Sequence, residues 1–191
     1  MKKVVIDIET QNSFEEAGSP DPAALKLSVA VAYEYDTDTY HVFWEHELGK
    51  LWPLLERADQ IIGFNLDHFD IPVLNRYYRG DLFKLPTLDL MKEVVKSLGR
   101  RVSLNAIASA TLHTKKSGHG LDAIRWWKQG ELEKIKTYCI DDVRITKDVY
   151  EYALKNRGIK IFNGAQEQII SLDTTKWEAK PPASVNFTLP F

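Results

Sequence analysis

The sequence predicts an α/β fold, a mixed central sheet flanked by helices. Three patterns carry that prediction. A β-branched run opens the chain, two further runs read as a hairpin, and strand–helix alternation then leads into one long amphipathic helix. At 191 residues the chain is long enough to bury a core as one main domain.

KKVVIDIET, residues 2–10, supplies the first strand, since Val4, Val5, Ile6 and Ile8 are the residue types of a strand covered on both faces. Residues 11–24 (QNSFEEAGSPDPAA) are rich in turn formers and read as a loop. LSVAVAYEY at 27–35 and YHVFWE at 40–45 are strands joined by the turn DTDT at 36–39. Residues 48–58 are expected to be helical, IIGFN at 61–65 is a short buried strand, and a helix is expected over 68–79. TLDL at 87–90 reads as another short strand. From there to 155 the pattern is helical, broken at Gly99 and at HTKKSGHG, 113–120, with the longest helix over 131–155. The main domain is placed at 1–158. Residues 159–191 are an expected C-terminal appendage, in which Asn163-Gly164 signals a hairpin and KWEAKPPASVNFTLPF forms a Pro-interrupted tail.

Two carboxylates stand oddly inside the first strand. Residues two apart on a strand project to one face, so Asp7 and Glu9 point together. Taken alone, the pair fits either a solvated strand end or a site holding a cation, because ionised carboxylates removed from water need compensation. A second acid, Asp70, follows the strand at 61–65, and Pro72 confines it to the start of the next helix. An N-cap role for Asp67 or Asp70 is the competing explanation. The long helix holds the third anomaly. Leu132, Ile135, Cys139, Val143, Val149 and Ala153 form one apolar stripe, and at about 100° per residue Asp142 lies roughly 30° from its centre. Tyr138 sits one turn earlier on the same side, whereas Asp141 is turned well over 100° away and faces solvent. A buried Asp142 paired with a Lys or Arg is the competing explanation.

Asp7-x-Glu9, Asn65-x3-Phe69-Asp70 and Tyr138-x3-Asp142, in that order and in those settings, resemble the three motifs of the DEDD superfamily of 3′–5′ exonucleases. The resemblance spans roughly residues 3–155 and implies a ribonuclease-H-like fold. SLNAIASATLHTKK at 103–116 and YCIDDVRIT at 138–146 are similar to the proofreading domains of family B DNA polymerases and their stand-alone relatives. The tyrosine subgroup fits, since the histidine version needs a histidine where Thr137 stands, and His113 and His119 are too far upstream. By this resemblance Asp7, Glu9, Asp70 and Asp142 hold two Mg²⁺ or Mn²⁺ ions, hard cations suited to carboxylate oxygens, with Asp7 as the bridge. Tyr138 would orient the attacking water, because a phenol titrating near 10 is a poor base at neutral pH. Asn65 and Phe69 would support the terminal nucleotides, the ring by stacking or, equally, as a core residue.

The implied activity is phosphodiester hydrolysis at the 3′ end of single-stranded or frayed DNA, in repair, proofreading in trans or turnover of short products. The alternatives are an exoribonuclease on the same fold and a nucleic-acid-binding module without turnover. Lys115 and Lys116 are candidate phosphate contacts in a basic loop that is otherwise simply solvated. Trp126 and Trp127 are expected to pack, and Asp89 to be structural. NFTLPF at the C-terminus offers an apolar peptide to a partner protein, or packs on its own domain.

Composition narrows the classes further. The single cysteine, Cys139, excludes an internal disulfide and gives too little sulfur for a structural zinc site. A formal charge of −2 argues against a protein that coats nucleic acid, though a nuclease needs only a local basic patch. Neither a secretory leader nor a membrane-length apolar run is apparent, so a cytoplasmic location is the expectation.

Overall fold

A computed structural model describes residues 1–114 and 120–179. The first strand, β1 (Lys3–Thr10), lies at the centre of a five-stranded sheet. On one side it pairs antiparallel with β2 (Leu27–Glu34), which pairs antiparallel with β3 (Thr39–Trp44). On the other it runs parallel to β4 (Gln60–Gly63), and β4 to β5 (Thr87–Asp89), giving the order β3-β2-β1-β4-β5. The expected mixed sheet flanked by helices is what the chain forms.

The period-2 alternation of β1 divides the molecule into two cores. Val4, Ile6 and Ile8 bury into one, beneath helices α2 (Trp52–Glu56) and α3 (Asp70–Asn75). Val5 faces the other, built with β2 residues Val29, Val31 and Tyr33 and with α4 (Leu90–Leu98), α5 (Leu104–Leu112), α6 (Gly120–Lys128) and α7 (Leu132–Asn156). Asp7 and Glu9 continue the Val5 face, opposite Val31 and Val29 in the β1–β2 register, so they point at the helical layer that contains α7.

Several expected boundaries move. The stretch read as a loop at 11–24 contains a one-turn helix, α1 (Phe14–Ala17), and a 3₁₀ turn (Pro22–Ala24). Ser13 and Glu16 form a reciprocal capping box on α1, and Gly18 ends it at φ +63°. The helix expected at 48–58 is a 3₁₀ turn (Glu45–Lys50) followed by α2, broken where Pro53 requires a new first turn. The helix expected at 68–79 covers only α3, with Pro72 in its first turn. The long helix and the breaks at Gly99 and after His113 match the sequence. Trp126 and Trp127 are partly buried against the helical core.

Asn163 and Gln166 face each other across the two-residue loop Gly164–Ala165, joining β6 (Gly158–Asn163) to β7 (Gln166–Ser171). Ile159, Ile161 and Ile170 of this hairpin, with Leu172 and Trp177 beyond it, are buried in the same core as α7. Trp177 stacks on Tyr150 with ring centroids 5.8 Å apart. Among the described residues no helix is long and apolar enough to cross a membrane. Lys115, Lys116, His119 and the NFTLPF tail lie outside the described residues.

Candidate active site

Three structural elements deliver the acids to one cavity. β1 ends with Asp7 and Glu9 on its helical face, and α7 turns Asp142 toward them. One carboxylate oxygen from each of Asp7, Glu9 and Asp142 falls within 4.8 Å of the others. Asp142 is only 3% exposed and Glu9 8%, while Asp7 is half-buried. Helical phase therefore selected correctly within the Asp141-Asp142 pair. Asp141 is turned away and forms a surface ion pair with Arg144 at 3.1 Å.

Asp70 is the first residue of α3 and is 3% exposed. It stands outside the 4.8 Å group but faces the same cavity. Burial first, and the nearby Asp7 carboxylate second, push its pKa well above the usual carboxylate range, against the pull of the backbone amides of Asp70 and Ile8. Neither Asp67 nor Asp70 acts as the side-chain cap. The N-cap of α3 is Phe69, with no side-chain hydrogen bond, and Asp67 instead meets Lys92 at 2.5 Å.

The cavity encloses about 390 Å³ and is lined by all four acids together with Asn65, Phe69 and Tyr138. Tyr138 is 2% exposed and meets Trp126 edge-on, ring centroids 5.8 Å apart. Cys139, its neighbour on α7, places Sγ 3.4 Å from the Asp7 carbonyl oxygen; burial and the surrounding acids push this thiol well up, so it behaves as an inert core residue.

The turn from β4 into α3 is tight. A Cβ on Gly63 would lie 2.8 Å from the Leu66 Cβ, so the close approach needs glycine. Asn65 follows in the left-handed region at φ +64°, a conformation asparagine tolerates better than most residues. Asp89 holds it there. Its carboxylate accepts the Asn65 amide at 2.8 Å, the Asp67 amide at 3.2 Å and the Met91 amide at 2.9 Å, capping α4 at the same time. Burial raises the Asp89 carboxyl, partly offset by those amides. Asp89 is structural, as expected, but what it shapes is the cavity wall.

Phe14 and Leu121 are among the lining residues that escaped sequence reading. Phe14 from α1 meets Phe69 edge-on, with ring centroids 6.3 Å apart. Leu121 from α6 also lines the cavity while remaining exposed. The Ser13-x-x-Glu16 capping box was the available signal for α1, and nothing local marked Leu121.

The acids gathered here offer oxygen donors, and a set of clustered carboxylates on a largely buried floor fits a hard divalent cation. A mixed five-stranded sheet carrying clustered acids on its central strand and on a long helix packed against it defines the class, an α/β protein of ribonuclease-H-like architecture. The chain belongs to the RNase H superfamily, whose family model matches residues 4–154. Among solved structures it is similar to the family B DNA polymerase of the hyperthermophilic archaeon Pyrobaculum calidifontis, with a TM-score of 0.63 and 19% identity. That likeness covers 81% of this chain and 24% of the polymerase, so the chain spans about a quarter of the polymerase and shares its fold there. No curated protein matches the chain. Family and acidic centre together are of nuclease type.

Proposed function

We propose that the protein is a metal-dependent 3′–5′ exonuclease of the tyrosine DEDD subgroup, acting on single-stranded or frayed DNA. The observation that carries this reading is the convergence of Asp7, Glu9 and Asp142 within 4.8 Å, over a buried Asp70 in the same cavity. Like charges gathered this way repel, and a fold gains nothing from them unless a cation offsets the repulsion.

Asp7, Glu9, Asp70 and Asp142 would hold Mg²⁺ or Mn²⁺, which when bound supplies a water of lowered pKa and neutralises charge on the phosphodiester. The protein's own groups do the rest. The Tyr138 hydroxyl, held by a ring packed against Trp126, orients the attacking water by hydrogen bonding. Asn65 presents its side chain to the terminal nucleotide from a fixed turn. The Phe14–Phe69 edge pair and Leu121, all lining the cavity, offer apolar surface for an unpaired base, which favours single strands over intact duplex.

The test is digestion of 5′-labelled DNA and RNA oligonucleotides with Mg²⁺ or Mn²⁺, in the presence and absence of EDTA. A ladder shortening from the 3′ end, abolished by EDTA and by Asp7→Ala, is expected. Full activity after exhaustive chelation would overturn the metal-dependent reading, and shortening from the 5′ end would overturn the polarity.

A further inference from the structure

The sheet changes register one residue beyond Glu9. In the β1–β2 ladder Glu9 faces Val29 and Thr10 faces Leu27, so Ser28 is an extra residue, a β-bulge. Ser28 is fully buried, which sets this irregularity inside the molecule beside the acidic centre. A bulge disrupts the ladder and bends its strand, so the end of β1 needs another hold if Glu9 is to keep its direction.

Three side chains from three segments supply that hold. Gln11 follows β1, Glu45 follows β3, and Tyr77 follows α3, the helix that begins at Asp70. Gln11 donates from Nε2 to the Leu27 carbonyl at 2.7 Å and to Glu45 Oε2 at 2.8 Å. The Tyr77 hydroxyl accepts the Leu27 amide at 3.0 Å and donates to Glu45 Oε1 at 2.9 Å. The circuit closes on the Leu27 backbone, and both oxygens of one carboxylate form its far corner. Burial, against the pull of the Leu27 amide and helped by the Glu45 carboxylate, raises the Tyr77 phenol and keeps it protonated as the donor.

We propose that Glu45 is a positioning residue for the metal-binding acids. Through Gln11 it holds the chain just past Glu9, and through Tyr77 it holds the far end of the helix that presents Asp70. Tyr77 is itself tied to that helix, its amide donating to the Leu74 carbonyl at 2.9 Å. Opening the circuit loosens both elements together, and carboxylates that are no longer pre-set bind a cation less tightly. This inference rests on the proposed nuclease reading and adds to it a residue that no motif spacing marks.

The test is the Mn²⁺ affinity of the full chain without nucleic acid, read by electron paramagnetic resonance of the free ion. Tyr77→Phe is the decisive variant, because it opens the circuit and removes no charge. Tyr77→Phe and Glu45→Ala are each expected to bind Mn²⁺ roughly tenfold more weakly than wild type. Glu45→Gln keeps an acceptor and should fall between wild type and Glu45→Ala. A long-range charge effect would instead make the two Glu45 variants equal and spare Tyr77→Phe. The control is Thr111→Val. Thr111 ties α5 to β6, its hydroxyl accepting the Lys160 amide at 3.0 Å and donating to the Lys160 carbonyl at 2.9 Å, and neither residue lines the cavity. Its loss should lower the melting temperature and leave Mn²⁺ affinity unchanged. Melts in EDTA show that each variant folds, and rising Mn²⁺ should restore the digestion rates of the Glu45 and Tyr77 variants. Wild-type affinity in Tyr77→Phe, or a weakening that Thr111→Val shares, would overturn the positioning role. If wild type binds Mn²⁺ and cleaves while these variants bind as it does, only the positioning role is wrong; if wild type neither binds Mn²⁺ nor cleaves, the nuclease reading falls and this inference with it.

Discussion

Replacing Asp70 by asparagine should make the protein more stable without metal and inactive with it. The side chain is 3% exposed, and burial together with Asp7 drives it toward its neutral form. The stability cost has a ceiling. A carboxyl facing a higher cost takes up a proton instead, and from the ordinary value of 3.8 that uptake at pH 7.5 costs about 5 kcal/mol. Asp70→Asn removes the charge at nearly constant volume, and the substituted amide can still accept the Ile8 N–H. A gain of about 1–5 kcal/mol follows, or roughly 2–15 °C in melting temperature for a domain of this size.

The pH dependence has a definite sign. Because the folded-state value is raised, the folded protein holds a proton that the unfolded chain releases as pH climbs above about 3.8. Wild-type stability from this group is therefore fully present below that pH and falls as pH rises through the raised folded value. The difference between wild type and Asp70→Asn should be near zero at pH 3.5 and open with increasing pH. Calorimetry or circular dichroism melts in EDTA across pH 3.5–8 would read it directly. Adding Mn²⁺ should stabilise wild type by mass action and the variant far less. A variant less stable than wild type in EDTA at pH 7.5 would refute the reasoning, because the carboxylate would then be held by favourable contacts.

Asp142→Ala should remove nearly all turnover, whereas Asp141→Ala, which breaks a surface pair with Arg144, should retain most of it and cost under about 1 kcal/mol. Steady-state rates and melts on both proteins check this, and the reversed outcome would mean that the helix phase is misread. Tyr138→Phe removes one hydroxyl and keeps the ring against Trp126, so single-turnover rates should fall roughly 5- to 150-fold at near-normal stability. A full-speed variant would make the tyrosine a packing residue. Ser13→Ala opens the capping box beside the cavity and should cost about 1 kcal/mol, measured by denaturant melts. No loss would show that α1 is held by the Phe14–Phe69 contact alone.

What could be read from the sequence follows from which forces are local. The period of β1 and the phase of α7 are set by residues a few positions apart, and both placed their acids on the face where the structure has them. The failures came where a residue's role depends on a distant partner. Asp67 and Asp70 were open to reading as helix caps because an acid before a helix usually is one, yet the cap position falls to Phe69, since Pro72 in the first turn and the Gly63 approach to Leu66 fix where α3 begins. Arg101 carries no local signal at all, being one of two arginines in a loop, and its Nη2 donates to the side-chain oxygen of a left-handed Asn65 that lies 36 positions away.

The same contrast explains the role of Asp89. Read along the chain, it is the end of a short strand and the cap of α4. Read in space, its carboxylate is the anchor that lets Asn65 hold a conformation asparagine otherwise adopts only in the minority of cases. Three backbone amides converge on it, so its removal would release the α4 cap and the Asn65 turn together. Residues of this kind touch no substrate, yet they decide whether those that do are in place before it arrives. A catalytic motif written as spaced letters therefore captures the acids and omits the scaffold that gives their spacing its meaning.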